Sequence, residues 1–255
     1  MSEQTIVLKF GGSVLQSRDD LSRVAREIER FCETGHRVVA VVSAFQGATD
    51  ALAEEAKAVQ EEPEALALAY LLATGEFVSA SLLSLTLSAH GTPAPVLGPS
   101  AIGLRTSGNG ADTNPTSVNV SALVQALETT GVVVVPGFVG IGPGGELALL
   151  GRGGSDLSAL FIASQLGARC RLVKDVAGMY ESDPAGPGPT PRRYQTLGWA
   201  KALELDEAIV QHKAVRYAQR ERLPFEVGAI ARDDVTTVGE HAKEYYRNDR
   251  EVACA

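Results

Sequence analysis

A three-layer αβα sandwich around a mainly parallel sheet is the fold class this 255-residue sequence predicts, on three observations. Short runs rich in Val, Leu and Ile do not alternate with polar residues, which suits strands covered on both faces. Segments with helical character fall between those runs along the whole chain, the order expected of a parallel sheet. Two of the runs end directly in glycines, at Gly11-Gly12 and at Gly151-Arg152-Gly153-Gly154, and helical patterns follow.

Taken in order, the first strand spans 5–10 and enters Gly11-Gly12. A helix follows at 21–33, where Val24, Ile28 and Cys32 fall on one face. A valine-rich strand at 37–43 leads into a helix at 48–60. The alanine- and leucine-rich stretch after it reads as two helices, 63–70 and 76–89, interrupted at Thr74-Gly75. A short strand is expected at 95–97, and the polar, glycine-bearing segment 106–115 reads as a mobile flap. Helix 118–129 and strand 132–135 precede a turn-rich segment, 140–146, which predicts a β-hairpin and a hinge. Strand 146–150, helix 155–166 and strand 171–173 then repeat the opening design. Four prolines and two glycines keep 183–191 irregular, and helices at 200–205 and 209–221 and a strand at 225–227 complete the set. The charged tail from Ala242 is expected to fray. Placing the hinge near 140 gives an N-terminal lobe, 1–140, and a C-terminal lobe, 141–255.

Composition narrows the function. Hydrophobic residues make up 45% and charged residues 21%, as in soluble globular proteins. A net charge of −8 argues against nucleic acid as partner, since bulk phosphate binding needs a basic surface. Cys32, Cys170 and Cys254 form no CxxC pair and have no histidine cluster nearby, so a reducing compartment is expected and a metal-ligand set is not. No charged-then-apolar leader opens the chain, and its apolar stretches read as too short to span a bilayer. The expectation is a cytoplasmic protein without a membrane partner.

Glycines at a strand-to-helix turn admit backbone N–H groups close to an anion, and the helix N-terminus adds partial positive charge. Two such turns in one chain point to phosphate handling. Lys9, just before Gly11, Gly12 and Ser13, would project toward the cradled anion, although a lysine closing an edge strand would look the same. Arg152 offers a planar fork to a carboxylate or phosphate, and Asp156 could orient lysines or Mg²⁺; Ser155 or Asp156 could equally be a helix cap. Ser43 and Thr49 could bind a polar substrate, with a cap by Thr49 or Asp50 as the competing reading. Glu76 beside apolar residues needs a cation or an amine, unless it is a solvated residue of a helix's first turn. The turn Lys174-Asp175-Val176-Ala177-Gly178-Met179-Tyr180 closes a strand where nucleotides bind in α/β sheets. Tyr180 could stack on a base or fill core, and Lys213 alone would read as solvated.

In combination these segments resemble the amino-acid kinase superfamily, and within it the catalytic domain of aspartokinases. Lys9-Phe10-Gly11-Gly12 is similar to the family's KFGG. Val41-Val42-Ser43-Ala44, with Gly47 and Thr49, resembles VVSAxxGxT. Gly75-Glu76 with Ser79-Ala80 resembles GExxSA, and Gly137-Phe138-Val139-Gly140 resembles GFxG. Leu150 to Asp156 reads LGRGGSD, and Asp175-Val176 with Gly178, Tyr180, Asp183 and Pro184 follows DVDGxYxxDP. The resemblance implies the amino-acid kinase fold and transfer of the ATP γ-phosphoryl group to the β-carboxylate of L-aspartate, with ATP and Mg²⁺ as cofactors, the acceptor and phosphoryl-transfer site in the lobe 1–140 and ATP binding in the lobe 141–255.

It also implies roles. Lys9 and Lys213 would be the catalytic cations, with Asp156 organising the phosphate-binding groups. Ser43, Thr49, Glu76, Arg152 and Ser155 would hold the amino acid, Glu76 near its ammonium and Arg152 on a carboxylate. Lys9, Gly11, Gly12, Ser13, Gly153, Gly154, Lys174, Asp175, Tyr180, Asp183 and Lys213 would bind ATP. The chain departs from the family in three places. Ser13 directly follows Gly12, one residue short of KFGGTSV; Ala208 or Ile209 replaces the lysine of GAKVLHPRA; and Ala185 replaces an arginine. No ACT regulatory domain fits in the sequence, so feedback inhibition through the chain's own sensor is not expected; a homodimer is, and whether a separate partner regulates it stays open. Two alternatives stand beside aspartate kinase: the same fold with another small acceptor, and a non-catalytic amino-acid or nucleotide-binding subunit.

Overall fold

The computed structural model describes residues 5–187, 189, 191–205, 209–240 and 243–246. The first β-α-β unit comprises β1 (Thr5–Phe10), α1 (Leu21–Glu33) and β2 (Arg37–Val42). Helix α1 turns Val24, Ala25, Ile28 and Phe31 inward, the face its apolar spacing specifies. Next come α2 (Ala48–Val59) and α3 (Ala65–Ala89). A hairpin of β3 (Arg105–Thr106) and β4 (Pro115–Ser117), then α4 (Val120–Thr130), leads to β5 (Val132–Pro136). Strands β6 (Val139–Ile141) and β7 (Leu147–Leu149) form the hairpin expected around 140–146, ahead of α5 (Gly154–Leu166) and β8 (Arg169–Lys174). The remainder is β9 (Tyr194–Gly198), α6 (Trp199–Ala202), α7 (His212–Arg220), β10 (Phe225–Ala229), β11 (Thr236–Gly239) and β12 (Glu244–Tyr245).

One eight-stranded sheet carries the molecule, in the order β12-β9-β11-β10-β8-β1-β2-β5. The run from β10 to β5 is parallel throughout, and β11 joins β10 antiparallel. Odd and even residues of the same strands feed opposite cores. Val7, Val39 and Val41 pack with α4, α5 and α7 on one face, and Ile6, Leu8 and Val38 with α1 and α3 on the other. That is the three-layer αβα sandwich. A second sheet, β4-β3-β6-β7, stands at one end and includes part of the flap segment, which is therefore a paired hairpin.

The chain moves from β1 to β2 in one direction along the sheet and later returns to β8 on the other side of β1. Helix α1, which follows β1, and α5, which precedes β8, cover opposite faces of the sheet, and a crevice opens past the carboxyl ends of the two strands, between Ser13 and Lys174. Lys9 lies one residue from the end of β1, and Lys174 ends β8.

Four local expectations are corrected. Residues 95–97 make only an isolated bridge, Val96 with Val134, because prolines flank a segment too short for a ladder. The two helices at 63–70 and 76–89 are one, α3, with Gly75 in its interior, where a Cβ would come within 3.0 Å of the Ala44 side chain. That unbroken helix of 25 residues is long and apolar enough to cross a membrane by length and composition, contrary to the expectation that no stretch would be. In this fold it packs on β5, α1, α2 and β7 and buries Glu76 in its middle. Part of the charged tail, 244–245, forms β12, whereas Glu207, Ala208 and Cys254 lie outside the described residues.

Candidate active site

Three charged side chains meet under the crevice. The Lys9 ammonium lies 2.7 Å from Asp156 Oδ1, and the Lys174 ammonium lies 3.0 Å from Asp156 Oδ2. All three residues are buried. Asp156 stands in the first turn of α5, so the helix N-terminus also favours its charge. Burial alone would raise its pKa, but Lys174 and then Lys9 outweigh that and hold the carboxyl at about 2. Burial, only partly offset by Asp156, pulls Lys174 below the ordinary lysine value. Gly11 leaves room for this group: a Cβ there would sit 2.7 Å from the Lys9 ammonium.

On one side of this group is a cleft of about 320 Å³ whose walls include Ser13, Ser43, Thr49, Glu76, Phe138 and Arg152. Two helices aim their N-termini into it. Gly47 caps α2 and Gly153 caps α5, both left-handed with φ 75° and 73°, and neither helix has a side-chain cap. The cap readings of Thr49, Asp50, Ser155 and Asp156 are thereby corrected: all four lie within the first turns. Glycine is required at 153 twice over, since a Cβ would also sit 2.4 Å from Gln211 Cβ. Two uncapped N-termini in one cleft make it attractive to two anionic groups. Ser43 Oγ and Ser155 Oγ, 2.6 Å apart, fasten the end of β2 to the first turn of α5.

Glu76 closes the floor of the cleft. It is buried within α3, not solvated at a helix start, and its Oε2 has no hydrogen-bond partner. Burial raises its pKa to about 8, against smaller lowering by the Ala44 N–H and Lys9. A buried carboxyl with an open acceptor atom fits a cationic ligand group. Arg152, exposed at the rim, is the opposite charge in the same cleft.

A second cleft, about 270 Å³, is walled by Ser13, Lys174, Asp175, Tyr180, Asp183 and Ile209 among others. Ser13 lines both clefts, so the two lie side by side at the Gly11-Gly12-Ser13 turn. Lys213 is placed elsewhere. Its ammonium bonds the Asp112 carboxylate and the carbonyls of Thr113 and Leu150, and it lines a separate cleft with Arg216 and Arg220.

Sequence reasoning assigned no site role to Phe138, Gln46 or Leu205, which also line the two main clefts. Phe138 has a left-handed backbone, φ 66°, rare for a bulky side chain and typical of strained functional positions. Its place in GFVG between two strands was the available signal.

The sequence matches the amino acid kinase family over residues 4–227. It is 39% identical over 219 residues to an aspartokinase of Thermus thermophilus, covering 84% of this chain and 54% of that protein. Aspartokinase 2 of Bacillus subtilis is 33% identical over 247 residues, covering 95% of this chain and 60% of that one. Among solved structures, the aspartate kinase from Synechocystis superposes with a TM-score of 0.80 at 30% identity, over 96% of this chain and 40% of that one. The chain thus spans little more than half the length of the curated relatives it matches.

Proposed function

The chain belongs to the amino acid kinase family, and from that premise we propose that it is an aspartate kinase, moving the ATP γ-phosphoryl group onto the β-carboxylate of L-aspartate. One observation carries the choice of acceptor. A single cleft combines a buried carboxyl with an open oxygen, a rim arginine and two uncapped helix N-termini. Those are partners for one ammonium and two carboxylates, the charge pattern of an acidic amino acid. The relatives' names, aspartokinase in each case, support the same choice.

Aspartate brings its nucleophile already ionised, so the site needs no strong base. Alignment and charge neutralisation carry the step. Glu76 would hold the ammonium and Arg152 the α-carboxylate, with Ser43, Thr49 and Ser155 around them. Lys9 would face the transferring phosphoryl group, kept in place by Asp156. Asp175, Tyr180 and Asp183 would line the nucleotide, and Gly153 and Gly154, in the wall of the acceptor cleft, would bring backbone N–H groups to its γ-phosphoryl end where that meets the acceptor.

Mg²⁺ would arrive with ATP. No cluster of three His, Cys, Asp or Glu occurs among the described residues, and an ion held largely by phosphate oxygens requires none. Asp175 and Asp183 are the carboxylates of the nucleotide cleft open to it, and it would neutralise charge on the phosphate oxygens. The proposal keeps acceptor binding mainly in residues 1–140, nucleotide binding mainly in 141–255, and a cytoplasmic homodimer. Exposed Tyr70, Val78 and Leu85 along α3 support the dimer.

The test is an acceptor panel read by ADP release, with hydroxylamine trapping of any acyl phosphate. Aspartate should turn over at least tenfold faster than other amino acids, and Arg152→Ala should abolish the preference. Turnover of a nucleoside monophosphate instead, or ADP binding without any turnover, would each replace this reading.

A further inference from the structure

We propose that Lys174 is the second phosphoryl-contacting cation of the site, its ammonium meeting the β-phosphate oxygens of the nucleotide while Lys9 meets the γ-phosphoryl group. The assignment rests on the phosphotransferase reading above and goes beyond it by identifying a group that sequence comparison had located at Lys213.

The topology comes first. Strands β1 and β8 are adjacent and parallel, with Lys9 beside Leu172 and Phe10 beside Val173, so both lysines reach the crevice where strand order reverses. The second observation is charge. Lys9 and Lys174 each take one oxygen of Asp156, at 2.7 and 3.0 Å, with side chains 6% and 10% exposed and Asp156 4% exposed. Among the buried groups, two ammoniums face one carboxylate, which leaves one buried positive charge in excess; the exposed Asp175, in the nucleotide cleft, is the next carboxylate to act on Lys174. Glu76, the other carboxyl close to Lys9, is held protonated near neutrality by its burial and does not cancel it. A buried, uncompensated charge is unfavourable until an anion arrives.

Position then divides the work between the lysines. Lys174 lines the nucleotide cleft itself, together with Ser13, Tyr180 and Asp183. Lys9 instead adjoins Gly11 and acts electrostatically on Glu76 of the acceptor cleft. In the transfer, an acceptor carboxylate oxygen bonds to the γ-phosphorus as the bond to the β,γ-bridging oxygen breaks. The electron pair of that bond stays on ADP, where Lys174 offsets the growing charge; no proton moves. Lys213 has three acceptors already, which uses all three of its N–H donors.

The experiment measures ADP and AMP binding by calorimetry, without acceptor, on the native chain, Lys174→Met, Lys174→Arg and Lys213→Met. ADP affinity should fall at least tenfold in Lys174→Met and AMP affinity less than twofold, with partial recovery in Lys174→Arg. Because Lys174→Met leaves a neutral buried pair, its melting temperature should equal or exceed that of the native chain. Equal losses for ADP and AMP, a larger ADP loss at Lys213 than at Lys174, or failure of Lys174→Met to fold overturns the assignment. A wrong acceptor leaves these binding results intact, whereas a native chain that binds no ADP sinks the phosphotransferase reading itself.

Discussion

Ser43 Oγ lies 2.6 Å from Ser155 Oγ, joining residues 112 apart in sequence. The contact ties the carboxyl end of β2 to the first turn of α5, and Ser79 Oγ donates to the Ser43 carbonyl from α3 at 2.6 Å. Three elements that wall the acceptor cleft are thus pinned at one point. Replacing either Ser43 or Ser155 by alanine should raise KM for the amino acid about fivefold, the equivalent of one hydrogen bond, and leave KM for ATP unchanged. Steady-state kinetics with each substrate varied in turn checks this, and the double variant should be less than additive.

Glu76 makes the empty protein more stable in acid than in base. Its folded pKa of about 8 lies above the ordinary 4.5, so the folded state holds the proton that the unfolded chain releases. That contribution is complete below 4.5 and disappears as pH rises through about 8. Glu76→Gln should remove the slope and melt higher than the native chain at pH 8, by a margin on the order of 1–3 kcal/mol. Amino-acid binding should release a proton near pH 7, seen as binding heats that vary with the ionisation enthalpy of the buffer.

Gly11→Ala should separate fold from activity. The added methyl carbon would stand 2.7 Å from the Lys9 ammonium, the far end of a flexible side chain, so the lysine moves and the backbone does not. Stability should change by less than about 1 kcal/mol while kcat falls on the order of 10–100-fold. Melting curves and turnover measured on the same preparation decide it.

Asp156→Asn should be the most damaging change. It leaves two buried ammonium groups facing a neutral amide and should cost about 3–5 kcal/mol, measurable by urea denaturation. The native carboxyl's contribution is present above the ordinary 3.8 and is lost as pH falls toward about 2, so acid unfolding should set in there.

Much of the architecture was legible because burial wrote it into the side chains. Helix α1 was legible in the stripe of Val24, Ile28 and Cys32, although Phe31 rather than Cys32 is its buried end, and β1, β2 and β5 are apolar because helices cover both faces. Strands β9 and β11 were missed: Thr196, Thr236 and Thr237 break up their apolar pattern, and long-range pairing holds them. Gly75 read as a helix break since glycine disfavours helix, whereas contact with Ala44 selects it. At the site, sequence named chemically able groups but not their meeting places. Both Lys174 and Lys213 looked suitable, and only the β1–β8 register shows which one shares a carboxylate with Lys9.

That register bears on how the chain could be re-engineered. Side chains alternate between faces along a strand, so deleting one residue early in β1 would send Lys9 to the opposite side of the sheet and put Phe10 in the place it leaves. Extra residues in the proline-rich connection ahead of β9 would leave both strands where they are. Redesign for new acceptors therefore has free play in that connection and none in β1, where backbone spacing aims the lysine.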